Sequence, residues 1–174
     1  MGKQTIDNLK KAFEGESMAR NKYTFYAAVA RNSGQLKIAE IFEETAKNEK
    51  EHAEIILKLL KGINDNPANL QAAIQGETFE YTDMYPEMAR VAKEEGETEA
   101  ARFFEEVSKV EKHHAQRFQE VLNMLQNNTL MKKDSSIRWK CRECGYIHEG
   151  TEPPGKCPLC GHEGHYYEPD CECF

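Results

Sequence analysis

The first 140 residues of this chain contain no cysteine; all six cysteines lie in the last 34. No apolar run approaches the roughly 18–20 residues of a membrane span, and mean hydropathy is −0.77, so a membrane protein is not expected. The opening residues Met1 to Asp7 carry no apolar core of a signal peptide, which points to a reducing, cytoplasmic setting. Basic residues are in deficit, with 23 Lys and Arg against 30 Asp and Glu and a net charge of −7. No basic stripe is available to neutralise phosphates, so nucleic acid is not an expected partner.

What is present is helical periodicity, nearly continuous from residue 5 to residue 127. Four segments are expected: about 5–32, 36–61, 68–95 and 97–127. Asn32-Ser33-Gly34 and Gly96 punctuate them. Pro86 falls inside the third segment and predicts a kink or local irregularity there rather than a clean helix. Short connections favour an antiparallel four-helix bundle, residues 1–127. Residues 128–137 lose the apolar stripe and read as a linker. From 138 to 174 the chain is rich in Gly, Pro and Cys, too short for a core of its own, and expected to be held by a metal.

One phrase occurs twice in the helical part. Glu49-Lys50-Glu51-His52 and Glu111-Lys112-His113-His114 are both Glu-x-x-His, 62 residues apart. On a helix this spacing puts carboxylate and imidazole on one face. The same offset pairs Phe42 with Phe104, Glu43-Glu44 with Glu105-Glu106 and Lys47 with Lys109, so a whole helix is repeated with its ligand-type residues. His113 adjoins His114 but points elsewhere and is expected at the surface.

Glu16, Glu49, His52, Glu77, Glu111 and His114 sit on the apolar stripes, where Leu or Phe would be usual. Glu80 shares the face of Glu77. Any one of these is commonly a stripe-end residue reaching water. Together they place a carboxylate near the middle of every helix, and buried carboxylates without a counter-charge are very costly. The pattern of one Glu from each of two helices and Glu-x-x-His from each of the other two is that of di-iron carboxylate bundles. Glu16, Glu49, Glu77, Glu80 and Glu111 sum to −5, between the +4 of two divalent and the +6 of two trivalent ions. Oxygen ligands with imidazole suit iron or manganese better than zinc. Glu80 is the carboxylate that a minimal site does not need. The expectation is that Glu80 and His52 alternate as ligands to one iron, carboxylate for the ferric and imidazole for the ferrous state, and that Glu80 moves a proton. Tyr23 and Tyr85 return to the faces of Glu16 and Glu77, either as hydrogen-bond donors to the carboxylates or as ordinary core aromatics.

Cys141-x-x-Cys144 and Cys157-x-x-Cys160 form a tetrahedral four-cysteine site. Taken alone its spacing suits zinc as well as iron. Beside a di-iron bundle, a one-electron iron centre is the better reading, because oxygen or peroxide chemistry needs electrons. Cys171 and Cys173 lie outside the quartet and read as reduced tail thiols, with redox or accessory metal binding as the alternative.

Gly15-Glu16-Ser17-Met18-Ala19-Arg20, Glu49-x-x-His52-Ala53, Gly76-Glu77-x-x-Glu80-Tyr81-Thr82, Glu111-x-x-His114 and Trp139-Lys140-Cys141 through Gly161 resemble the rubrerythrin family over essentially the whole chain. That resemblance implies a ferritin-like bundle holding two non-haem irons and a rubredoxin-like domain holding one iron by four thiolates. It implies reduction of hydrogen peroxide to water, with electrons from NAD(P)H through a separate reductase or a rubredoxin. It also implies His/Glu ligand exchange and a homodimer in which the rubredoxin end of one subunit approaches the di-iron site of the other. The Cys171-Glu172-Cys173 tail departs from the family pattern. The alternative is a ferritin-like iron-binding or ferroxidase protein with a structural zinc ribbon.

Overall fold

The computed structural model describes residues 1–171. These fall into two compact units, Met1–Asp65 and the part from Asn66 onward. Among the described residues no helix is long and apolar enough to cross a membrane.

The first unit is a helical hairpin of α1 (Lys3–Asn32) and α2 (Leu36–Leu59). Its seam is built from alanine: Ala27 and Ala30 of α1 and Ala39, Ala46 and Ala53 of α2 are all buried. Small side chains at helical spacing allow close approach, while Glu, Lys and Ala elsewhere are good helix formers. Arg31 pairs with Glu43 across the hairpin at 2.5 Å.

The second unit sets α3 (Asn66–Phe79) and α4 (Tyr85–Glu94) along α5 (Thr98–Gln126). Its seam again uses alanine, with Ala89, Ala92, Ala101 and Ala115 buried beside Leu122. Lys93 pairs with Glu105, the repeat's counterpart of Arg31 with Glu43. Ile38, Leu59, Met88 and Val121, which lie on the apolar stripes of their segments, are 38–52% exposed. A pair of helices has one narrow seam, and alanine fills it.

The irregularity that Pro86 predicts in the third segment is a π turn rather than a simple kink. Residues Glu80–Met84 form a π turn in which the Tyr85 N–H donates to the Glu80 carbonyl, five residues back. Pro86 then sits in the first turn of α4, where a missing N–H is tolerated. In the π register its absent N–H would have reached the carbonyl of Tyr81. Ser108 Oγ of α5 donates to that carbonyl instead, at 3.2 Å. The π turn inserts one residue relative to α1: Gly34 follows Gly15 by nineteen positions, whereas Gly96 follows Gly76 by twenty.

α1, α2, α4 and α5 end alike. The residue in the left-handed region is Gly34, Lys61, Gly96 or Asn128, and the next N–H reaches back to Ala30, Leu57, Ala92 or Met124.

The C-terminal part is a three-stranded antiparallel sheet in the order β2-β1-β3, from β1 (Ile137–Cys141), β2 (Ile147–Gly150) and β3 (Tyr167–Pro169). In its register Trp139 faces His148 and Pro169, and Cys141 faces Tyr167. Trp139, Cys141, Cys157 and Tyr167 form its core, with Met131, Ile137 and Cys160 packed against them. The Trp139 indole N–H donates to the Gly150 carbonyl at 3.0 Å.

Candidate metal centres

In the first unit, Glu16 of α1 and Glu49 and His52 of α2 converge, with ligand atoms all within 4.8 Å of one another. His52 Nδ1 lies 2.9 Å from Glu49 and 3.6 Å from Glu16. In the second unit, Glu77 of α3 and Glu111 and His114 of α5 do the same. His114 Nδ1 lies 2.6 Å from Glu111 and 3.7 Å from Glu77. The sequence repeat is thus a geometric repeat: each helix pair carries one carboxylate–carboxylate–imidazole trio of the same shape.

Electrostatics differ slightly between the two. The hydrogen bond that the ring donates to Glu49, with the charge of Glu16 adding to it, raises the His52 imidazole above its ordinary value. The Glu77 carboxyl is raised first by burial, then by its hydrogen bond to Glu111 and by the Glu111 charge. A carboxyl that its surroundings push toward protonation, as Glu77 is, is ready to accept a cation in the proton's place.

Glu80, half-buried at the start of the π turn, is not within the Glu77 trio. It still makes itself felt at Tyr85, whose phenol is raised by burial and then by the charges of Glu80, Glu111 and Glu77. Tyr85 stacks on Phe104 with centroids 6.1 Å apart, and Tyr23 stacks on Phe42 at 6.0 Å. Both tyrosines are therefore packed aromatics of the two seams, and Tyr85 also borders the carboxylates. His113 is exposed.

The four cysteines of the C-terminal part also meet. Sγ of Cys141 lies 3.7 Å from Cys160, and Sγ of Cys144 lies 3.6 Å from Cys157. A tetrahedron with metal–sulfur bonds of about 2.3 Å has edges of about 3.8 Å, so the quartet fits a metal ion. The two loops are built alike. Gly145 and Gly161, at φ of 76° and 77°, follow the second cysteine of each pair, and their N–H groups donate to the Cys141 and Cys157 carbonyls at 2.9 Å. Only glycine takes that backbone shape without strain. Burial pushes the Cys157 thiol up, but the Tyr167 hydroxyl and the N–H groups of Cys160 and Leu159 outweigh it and hold the thiol at about 6. The Tyr146 N–H lowers Cys144, but burial and the other three sulfurs outweigh it and push that thiol up to about 12. Cys171 is exposed and outside the quartet; Cys173 lies outside the described residues.

Three features escaped the sequence reading. The π form of the irregularity at Pro86 was visible only as the unequal glycine spacing. Ser108 gave no signal, because a serine on a helix becomes informative only once its acceptor is known. His162, two residues past Cys160, puts Nδ1 3.3 Å from that sulfur.

Paired Glu and Glu-x-x-His helices with a four-cysteine site behind them define a non-haem iron protein of the ferritin-like class carrying a rubredoxin-like domain. The family model for rubrerythrin matches residues 7–122, and that for the rubrerythrin rubredoxin-like domain matches residues 139–168. This chain belongs to the rubrerythrin family. A relative from Methanocaldococcus jannaschii is 44% identical, covering 98% of this chain and 94% of its own. The rubrerythrin of Nitratidesulfovibrio vulgaris is 39% identical, covering 96% and 94%. A solved structure of nigerythrin is 32% identical, covering 97% of this chain and 87% of that one, with a TM-score of 0.37.

Proposed function

We propose that this protein reduces hydrogen peroxide to water, H2O2 + 2 e⁻ + 2 H⁺ → 2 H2O, at a di-iron site, with electrons passing one at a time through the four-cysteine iron. The observation that carries the reading is the twin trio, Glu16/Glu49/His52 and Glu77/Glu111/His114, in one chain with a tetrahedral thiolate site. When bound, the two irons supply the electron pair that cleaves the O–O bond.

The chain's own residues do the rest. Glu16, Glu49, Glu77, Glu111 and His114 hold the metals. His52, raised by Glu49 and half exposed, and Glu80, on the π turn, are the exchangeable pair of ligands. A π turn is a common way to re-aim a functional side chain within a helix. Glu80 delivers protons, with the Tyr85 phenol at its side. Cys141, Cys144, Cys157 and Cys160 hold the relay iron, on a region 138–174 that the linker 128–137 joins to the bundle of 1–127. An NAD(P)H-dependent reductase or a rubredoxin supplies the electrons.

The active form is a homodimer. Exposed Phe25, Val29, Ile41 and Ile55 on the first hairpin and Phe79, Phe103 and Val110 in the second unit supply apolar surface for it.

The test is peroxide-dependent NADH oxidation with a reductase, alongside metal analysis and a visible spectrum. Turnover that disappears in Cys157→Ser, with the helical iron retained, supports the relay. A colourless, zinc-bound C-terminal site in protein that takes up iron without reducing peroxide would establish the storage alternative.

A further inference from the structure

Tyr167 is 2% exposed, and its hydroxyl is buried without a hydrogen bond. An orphaned buried hydroxyl is costly unless something in the working protein satisfies it. The position of Tyr167 says what does. It opens β3, pairs with Cys141 in the sheet register, and packs in the same small core as Cys141, Cys157 and Trp139. The other donors aimed at the quartet are backbone N–H groups and the His162 ring. Tyr167 is the one hydroxyl among them.

We propose that Tyr167 is a positioning residue of the electron relay: its hydroxyl donates to the metal-bound Cys157 thiolate and thereby raises the reduction potential of the four-cysteine iron. The charge arithmetic gives the sign. Four thiolates around a ferric ion sum to −1, and one electron from an external one-electron donor takes the site to −2, with no bond made or broken. A hydrogen-bond donor favours the more negative sulfur, so it stabilises the reduced form. Such a bond also resolves the orphaned hydroxyl, and does so best when Cys157 is a thiolate, a far stronger acceptor than a thiol. Electrons arriving from the donor are then held at a higher potential than the bare quartet would give.

The inference rests on this site's holding iron, and its test needs no peroxide. The full-length protein and Tyr167→Phe are loaded with iron, and their midpoint potentials are read by optical titration with dithionite and mediators. The expected result is an unchanged thiolate-to-iron visible band with an about tenfold less favourable equilibrium for reduction, a fall of about 59 mV for one electron. Equal potentials in two proteins of equal colour overturn the proposal. Should Tyr167→Phe not take up iron, a crystal structure of the iron-loaded natural chain decides: Tyr167 Oη in hydrogen-bond reach of Cys157 Sγ supports it, and any separation beyond about 4 Å overturns it. If peroxide reduction were absent altogether, the difference in potential would still be measurable, so the two readings fail separately.

Discussion

Replacing Ser108 by alanine tests the physical account of the π turn. Pro86 lacks the N–H that the π register would offer to the Tyr81 carbonyl, and Ser108 Oγ takes its place at 3.2 Å in a part-buried setting. Ser108→Ala should therefore leave that carbonyl short of a donor and cost about 1 kcal/mol. For a chain of this size the melting temperature should fall by about 2–4 °C. Ser108→Ala alone does not separate this cause from lost packing, so the informative experiment is a double-mutant cycle with Pro86→Ala. Alanine at 86 restores an N–H that can reach Tyr81, and in that background Ser108→Ala should cost clearly less. The coupling should be about 0.5–1 kcal/mol, read from urea unfolding of the metal-free protein by far-UV circular dichroism. Coupling within about 0.3 kcal/mol of zero would refute the link between proline, π turn and serine. Because Glu80 begins the turn, the same variants should also change the visible spectrum of the loaded helical site, while leaving the four-cysteine band as it is.

Three further outcomes are expected. Chelating the metal should red-shift the fluorescence of Trp139, the only tryptophan and one with no exposed surface, because it packs against Cys141 and Cys157; helical circular dichroism should change little. In the metal-free protein, the stability of that region should rise between about pH 6 and pH 9, since the lowered Cys157 contributes above its unfolded value of 9.0 and loses that contribution as pH falls through about 6. Above pH 9 stability should fall again, since Cys144, raised to about 12, contributes fully only below 9.0; urea midpoints followed by Trp139 across this range check both limbs. Gly161→Ala, at φ 77°, should cost about 1–2 kcal/mol and weaken metal retention, measured by competition with a chromophoric chelator.

Much of the site was legible in the chain itself. Carboxylates and imidazoles on apolar stripes stand out by spacing alone, so Glu16, Glu49, His52, Glu77, Glu111 and His114 could be named as candidates, and the structure brings them together as two trios, none of them fully buried. The two CxxC pairs are equally local, because a knuckle is built from neighbours and a left-handed glycine. The π form of the irregularity in the third segment was encoded only as one extra residue between Gly76 and Gly96.

What the sequence by itself determined is therefore what adjacent residues decide: helix faces, the doubled ligand phrase, the cysteine loops. Tertiary structure alone decided what depends on distant partners. It gave Tyr81 its donor from Ser108, filled the two helix seams with alanine and left larger side chains outside, and buried the Tyr167 hydroxyl beside Cys157. A hydrogen bond or a buried seam joins positions far apart in the chain, and no period within either segment records its partner.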